Sequence, residues 1–176
     1  MKKIFKLTLA VALVLMSVAT ASAQKFGRVD VNAIIPNMPQ YQEAIVKYEE
    51  FAKDLGNQYE MMQVEFNQKY ADYQKNMNTY NDAIRQDKEA ELQSLSERLA
   101  SFQQMAQQSI QQKEIELMTP IEEKAFEAIN KVAKEGGYLV IFNTANNQPR
   151  NAGLAYFDEE ALIDITADVK KSLGIE

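Results

Sequence analysis

Of the side chains that usually carry out chemistry, this chain of 176 residues offers carboxylates, hydroxyls and amines but no histidine and no cysteine. A Ser-His-Asp triad, a thiolate nucleophile and a zinc site of imidazole and sulfur ligands are therefore excluded. Paired carboxylates could cleave a glycoside or hold calcium. Here, however, Glu43, Glu49, Glu50, Asp54, Glu60 and Glu65 are strung along helix-forming sequence without calcium-loop spacing, and they read as the solvated face of a helix. No glycine-rich phosphate loop is present, so the sequence points to neither ATP nor any other cofactor, and an enzyme is not expected.

What the chain supplies in number is soft apolar surface. Tyr41, Tyr48, Tyr59, Tyr70, Tyr73 and Tyr80 account for six of its eight tyrosines, and Met61, Met62, Met77, Met105 and Met118 add deformable thioethers. A two-stranded coiled coil prefers Leu, Ile or Val along its seam, whereas tyrosine buries a ring and keeps its hydroxyl in water. Such a surface suits varied apolar clients, and Tyr59, Met62, Phe66, Tyr70, Tyr73, Met77 and Tyr80 are the candidate contact residues. The alternative is that these rings fill a wide helix–helix seam.

The elements that must carry these residues follow from spacing. Between Pro39 and Pro120 the chain has no proline and one glycine, Gly56. Apolar residues recur there at steps of three and four, through Tyr41, Ile45, Tyr48, Ala52, Leu55, Tyr59, Met62, Phe66, Tyr70, Tyr73, Met77 and Tyr80. The pattern predicts a long helix, and Leu92, Leu95, Leu99, Phe102 and Ala106 predict a second one returning. The tip between them is expected near residues 75–88, where Asn76, Asn78, Asn81 and Asp82 interrupt good helix formers. A forty-residue arm would reach roughly 60 Å at about 1.5 Å per residue. From Gln103 to Gln112 the returning helix carries six glutamines, so the hairpin is expected to be loosely zipped there. Thr119-Pro120-Ile121-Glu122 reads as a capping box that starts a new helix or hinges the old one.

Both ends of the chain outside this hairpin have β character. The segment from Lys25 to Asn32 places Val29 and Val31 among polar neighbours, like a strand. Tyr138 to Phe142 forms a second β-rich run and Gly153 to Phe157 a third, joined by a polar loop from Asn143 to Ala152. Asp158 is expected to cap a final helix over 159–173, with Leu162, Ile165, Val169 and Leu173 on one face. The expected fold class is α+β: a small body of short terminal strands, a long antiparallel helical hairpin and a short C-terminal helix. Residues 24–38 and 120–176 make the body, and 39–119 make the arm.

Lys2, Lys3 and Lys6 precede an apolar run from Leu7 to Ala19, and Ala21-Ser22-Ala23 follows with small residues. Residues 1–23 therefore read as a cleaved export signal, with Gln24 as the mature start. Export in turn would leave a chain of net charge −9, without disulfides and without a basic stripe for nucleic acid.

The ending Asp164-Ile165-Thr166-Ala167-Asp168-Val169-Lys170-Lys171-Ser172-Leu173, preceded by the Tyr138–Phe142 strand, resembles that of the Skp/OmpH family of periplasmic chaperones. The early strand followed by a long hairpin is similar to the beginning of the same family. The resemblance implies a homotrimer whose short strands form a barrel-like body. It also implies an ATP-independent holdase that keeps unfolded outer-membrane β-barrel proteins in a cavity between helical arms. Val29, Val31, Leu139, Ile141, Ile165 and Val169 would then be the oligomerisation residues. One departure is plain, because the family's arms are basic while residues 40–119 here carry 8 Lys+Arg against 14 Asp+Glu. A charge-based contact with a membrane or lipopolysaccharide is not carried over. The rival reading is a structural coiled-coil protein of the cell envelope with one fixed partner.

Overall fold

The computed structural model describes residues 24–145, 156, 158 and 160–175. The expected export signal over 1–23, the expected Gly153–Phe157 strand apart from Tyr156, and most of the loop before it lie outside the described residues. The chain divides into two compact units, one of residues up to Ile34 together with Phe126 onward, the other Ile35–Ala125.

In the first unit β1 (Lys25–Val29) is the central strand of a three-stranded sheet. It pairs in parallel with β2 (Tyr138–Asn143) on one side and with the two-residue β3 (Ile163–Asp164) on the other. Parallel neighbours need a long crossover, and between β1 and β2 that crossover is the entire helical excursion. The terminal segments do share one sheet, as the order of elements in the sequence requires. Gly27 holds the middle of the central strand because a Cβ there would meet Ile141 Cδ1 at 2.7 Å and the Ile163 carbonyl oxygen at 3.1 Å. Val29, Val31, Ile34, Ile129, Ile165 and Val169 are buried in this unit.

Two expectations for this unit are corrected. The strand ends at Val29, and Val31 starts a 3₁₀ turn (Val31–Ala33). There the Asp30 carboxylate accepts the Asn32 N–H, while the Asp30 N–H donates to Thr166 Oγ1 at 3.0 Å. The helix expected over 159–173 is only its second half. Ile163 and Asp164 are strand, paired with Gly27 and Arg28, and the helix runs Thr166–Leu173. Asp164 rather than Asp158 serves its start, accepting the Thr166 N–H at 2.9 Å. An edge beside β1 and a buried β-branched Ile165 outweighed the helical spacing of Leu162.

The second unit is mostly two helices, α1 (Pro39–Asn76) and the greater part of α2 (Asp82–Gly136). Pro39 takes the first helical position, where its missing N–H costs nothing. The 38 residues of α1 span roughly 57 Å at about 1.5 Å per residue. Residues 77–81 make the turn. The Thr79 N–H donates to the Asn76 carbonyl there, and the Asn81 side chain accepts the Ile84 N–H, capping α2. At the other end α2 stops at Gly136, and Gly137 takes a left-handed φ of 68° that a side chain would resist.

The capping box expected at Thr119 is not used as a start. The helix passes through Pro120 without interruption, and Thr119 and Pro120 are both exposed. A proline inside a helix removes one backbone bond, to the carbonyl four residues earlier. That carbonyl belongs to Glu116, an exposed residue, and Ile121 and Ala125 just beyond Pro120 are buried. Tertiary burial of the following turn outweighs the local stop signal.

Candidate functional site

The hairpin's register is set by pairs across it. As α1 is followed outward from Phe51 through Tyr59 and Lys69 to Tyr73, the partners on α2 run back from Lys113 through Phe102 and Glu91 to Glu89. The helices are antiparallel. Lys113 lies 5.8 Å from the Phe51 ring centroid, a cation–π contact, and the Tyr59 and Phe102 rings stack at 6.4 Å. Farther out, the Tyr73 hydroxyl donates to Glu89 at 2.5 Å.

From Leu55 outward, burial keeps to an alternation of three and four. Leu55, Tyr59, Met62, Phe66, Lys69, Tyr73 and Asn76 of α1, and Tyr80 in the turn, are the sheltered positions there. The expected seam agrees as far as Phe66 and again at Tyr73 and Tyr80, but Tyr70 and Met77 are exposed, 45% and 41%. The step from Phe66 is three residues, not four, because the step from Met62 to Phe66 was already four. Lys69 therefore occupies a seam position, laying its stem along the helix and its ammonium against Glu91. Tyr70, displaced from the seam, stacks on Phe66 with ring centroids 6.0 Å apart.

Around Lys69 the seam becomes ionic. Glu91 accepts from both Lys69 and Lys88, the latter at 3.0 Å, and these bonds hold its carboxyl below the usual glutamate range. The bond to Glu91 raises Lys88 in turn, and the bond to Glu89 raises the Tyr73 hydroxyl. The ionic side chains are all partly exposed, so the network sets register more than it adds stability.

The seven candidate contact residues divide into two groups. Tyr59, Met62, Phe66, Tyr73 and Tyr80 share the sheltered face, with Tyr73 and Tyr80 rings 6.4 Å apart, while Tyr70 and Met77 face water. Residue-type reasoning missed Val46, Val64, Ile84 and Ile115, which are exposed off the seam, and Met61 is the most exposed of the arm's large apolar side chains. Their signal was that each breaks an otherwise polar helix face. Of the candidate oligomerisation residues, Val29, Val31, Ile165 and Val169 are buried within the single chain, Ile141 is partly buried and Leu139 is 61% exposed.

Among the described residues no group of acidic side chains converges as a metal site, and no helix is long and apolar enough to cross a membrane. The described residues form a small parallel sheet and a long hairpin whose apolar surface is spread rather than gathered into one pocket. A profile of the outer membrane protein (OmpH-like) family, OmpH, matches residues 25–173, and the chain belongs to that family. The family is one of periplasmic chaperones for outer-membrane proteins. No individual curated protein matches the chain.

Proposed function

We propose that this protein is an ATP-independent, non-enzymatic holdase that is exported by its N-terminal signal and keeps unfolded outer-membrane β-barrel proteins from aggregating. The observation that carries this reading is the composition and exposure of the hairpin. Tyr59, Tyr73 and Tyr80 recur along its sheltered face with Met62 and Phe66, and large apolar side chains such as Met61, Val64, Tyr70, Met77 and Met105 remain exposed off it. A rod built only to span distance would bury such groups. Many weak contacts along a flexible arm capture varied clients by multivalency and release them when folding into a membrane is more favourable.

The reading includes a homotrimer. Among the described residues no further strand pairs with either edge of the three-stranded sheet, and Phe26, Leu139, Val140 and Ile163 on it are exposed apolar residues, a surface that further strands or copies would cover. Exposed Leu139 is the better candidate for contact between subunits, whereas Val29, Val31, Ile165 and Val169 support it from the core.

Size exclusion with light scattering tests both parts. The mature chain should run as a trimer at micromolar concentration, and after addition of a denatured β-barrel protein diluted from urea the trimer should elute with the client bound. A stable monomer would contradict the trimer, and client lost to aggregate would contradict the holdase.

A further inference from the structure

Among the openings along the hairpin, one is walled almost wholly by apolar side chains. Opposite each other on the two helices, Ala52, Gly56 and Ala106 are small, and between them lies a cavity of about 240 Å³. Leu55, Tyr59, Phe102 and Ile110 form its apolar walls. Gly56 is the only glycine between Pro39 and Pro120, and glycine in a helix interior is less stable than alanine. Nothing lies within 4 Å of where its Cβ would be, so no close approach demands it. The missing side chain leaves space and does nothing else for the fold.

We propose that this cavity is a seat for one apolar side chain, aromatic or leucyl, projecting from an extended segment of an unfolded polypeptide. Volume fits the occupant: an engineered apolar cavity of about 150 Å³ is enough to take up benzene. The rim fits the backbone that bears it. Gln103 and Gln107 line the opening and are exposed, one helical turn apart. Four helical residues rise about 6 Å, and two residues of extended chain advance about 6.6–6.8 Å. The two side-chain amides, each both donor and acceptor, therefore match the repeat of an extended backbone. Alternate residues of that backbone point the same way, so a segment with apolar residues at every second position, the pattern of a barrel strand, presents one to the seat. Gln103 and Gln107, two of the six glutamines in this stretch, thus flank the apolar opening with amides that reach beyond it. The choice of occupant rests on the chaperone reading above.

The test uses the full mature chain with methyl-labelled leucine and isoleucine. Two probes are titrated: a soluble extended peptide bearing a single Phe, and a denatured β-barrel protein diluted from urea. Both should shift the Leu55 and Ile110 methyl resonances, and the same peptide with Ala in place of Phe should not. Filling the hole with Ala106→Leu, or independently with Gly56→Leu, should abolish these shifts and weaken barrel-protein binding roughly tenfold, as for one largely buried apolar side chain. Either filled variant that keeps its helical spectrum and binds like the wild type would overturn the proposal, as would methyls unmoved by the Phe peptide. Methyl shifts with the peptide but no retention of the barrel protein would support the seat and count against the chaperone reading alone.

Discussion

The two units of this chain bury side chains in opposite ways. In the sheet-containing unit, Val29, Ile34, Ile165 and Val169 are almost wholly inaccessible, and a glycine is placed where a side chain would collide. In the hairpin only isolated positions such as Leu55 and Leu95 are buried midway along, and a glycine is placed where a side chain would meet nothing. A few residues at close packing fix one structure. Many at half burial leave a surface whose contacts are unfinished, as the proposed holdase would require.

The comparison can be broken most directly in the sheet unit. Ile165→Ala should cost about 2–5 kcal/mol, as for other buried Ile→Ala changes, read from urea unfolding of the mature chain. If the loss is well under that range, the packing contrast is wrong. Tyr59→Ala in the hairpin should cost less, about 1–2 kcal/mol, because the ring is already partly wet and loses mainly its stacking on Phe102. It should nonetheless weaken binding of a denatured barrel protein more than Ile165→Leu, a volume-conserving control. Gly56→Ala should stabilise the hairpin by about 0.5–1 kcal/mol, since the new methyl meets open space.

The smallest expected effects are electrostatic. Burial works to raise Asp164, but hydrogen bonds from the Thr166 side chain and backbone, together with Arg28 at 3.1 Å, outweigh it and leave its pKa lowered. A depressed carboxylate contributes stability above its unfolded pKa and loses it as pH falls through the folded value. The sheet unit should therefore soften slightly below the ordinary aspartate range, and Asp164→Asn should flatten that part of the pH profile. Lys69→Gln should shift hairpin melting only at low salt, because its partner Glu91 is open to solvent. A salt-independent shift would mean that the seam lysine acts through packing instead.

How far the sequence could be read follows the same division. The long helices were legible because no proline lies between Pro39 and Pro120 and the period of three and four persists there; the antiparallel return followed from β character at both ends. The register beyond Phe66 was not, because it was assigned by residue type. Tyr70 is apolar and Lys69 is not, yet helix geometry continues through the lysine, whose stem and partner Glu91 make it acceptable there. At Pro120 a local stop signal gave way to burial of Ile121 and Ala125, and at Ile163 a helical spacing gave way to an open strand edge. In each case a nonlocal contact, invisible to spacing, decided the outcome. The void beside Gly56 was foreshadowed only by the expectation of loose zipping around Gln103 to Gln112, since its walls come from both helices.

The central claim is that the unfinished hairpin surface holds unfolded clients, and light scattering of a denatured outer-membrane barrel protein diluted from urea tests it most directly. With the mature chain present at one trimer per client and no ATP, scattering should stay near baseline. Aggregation that proceeds as fast as in its absence would contradict the account.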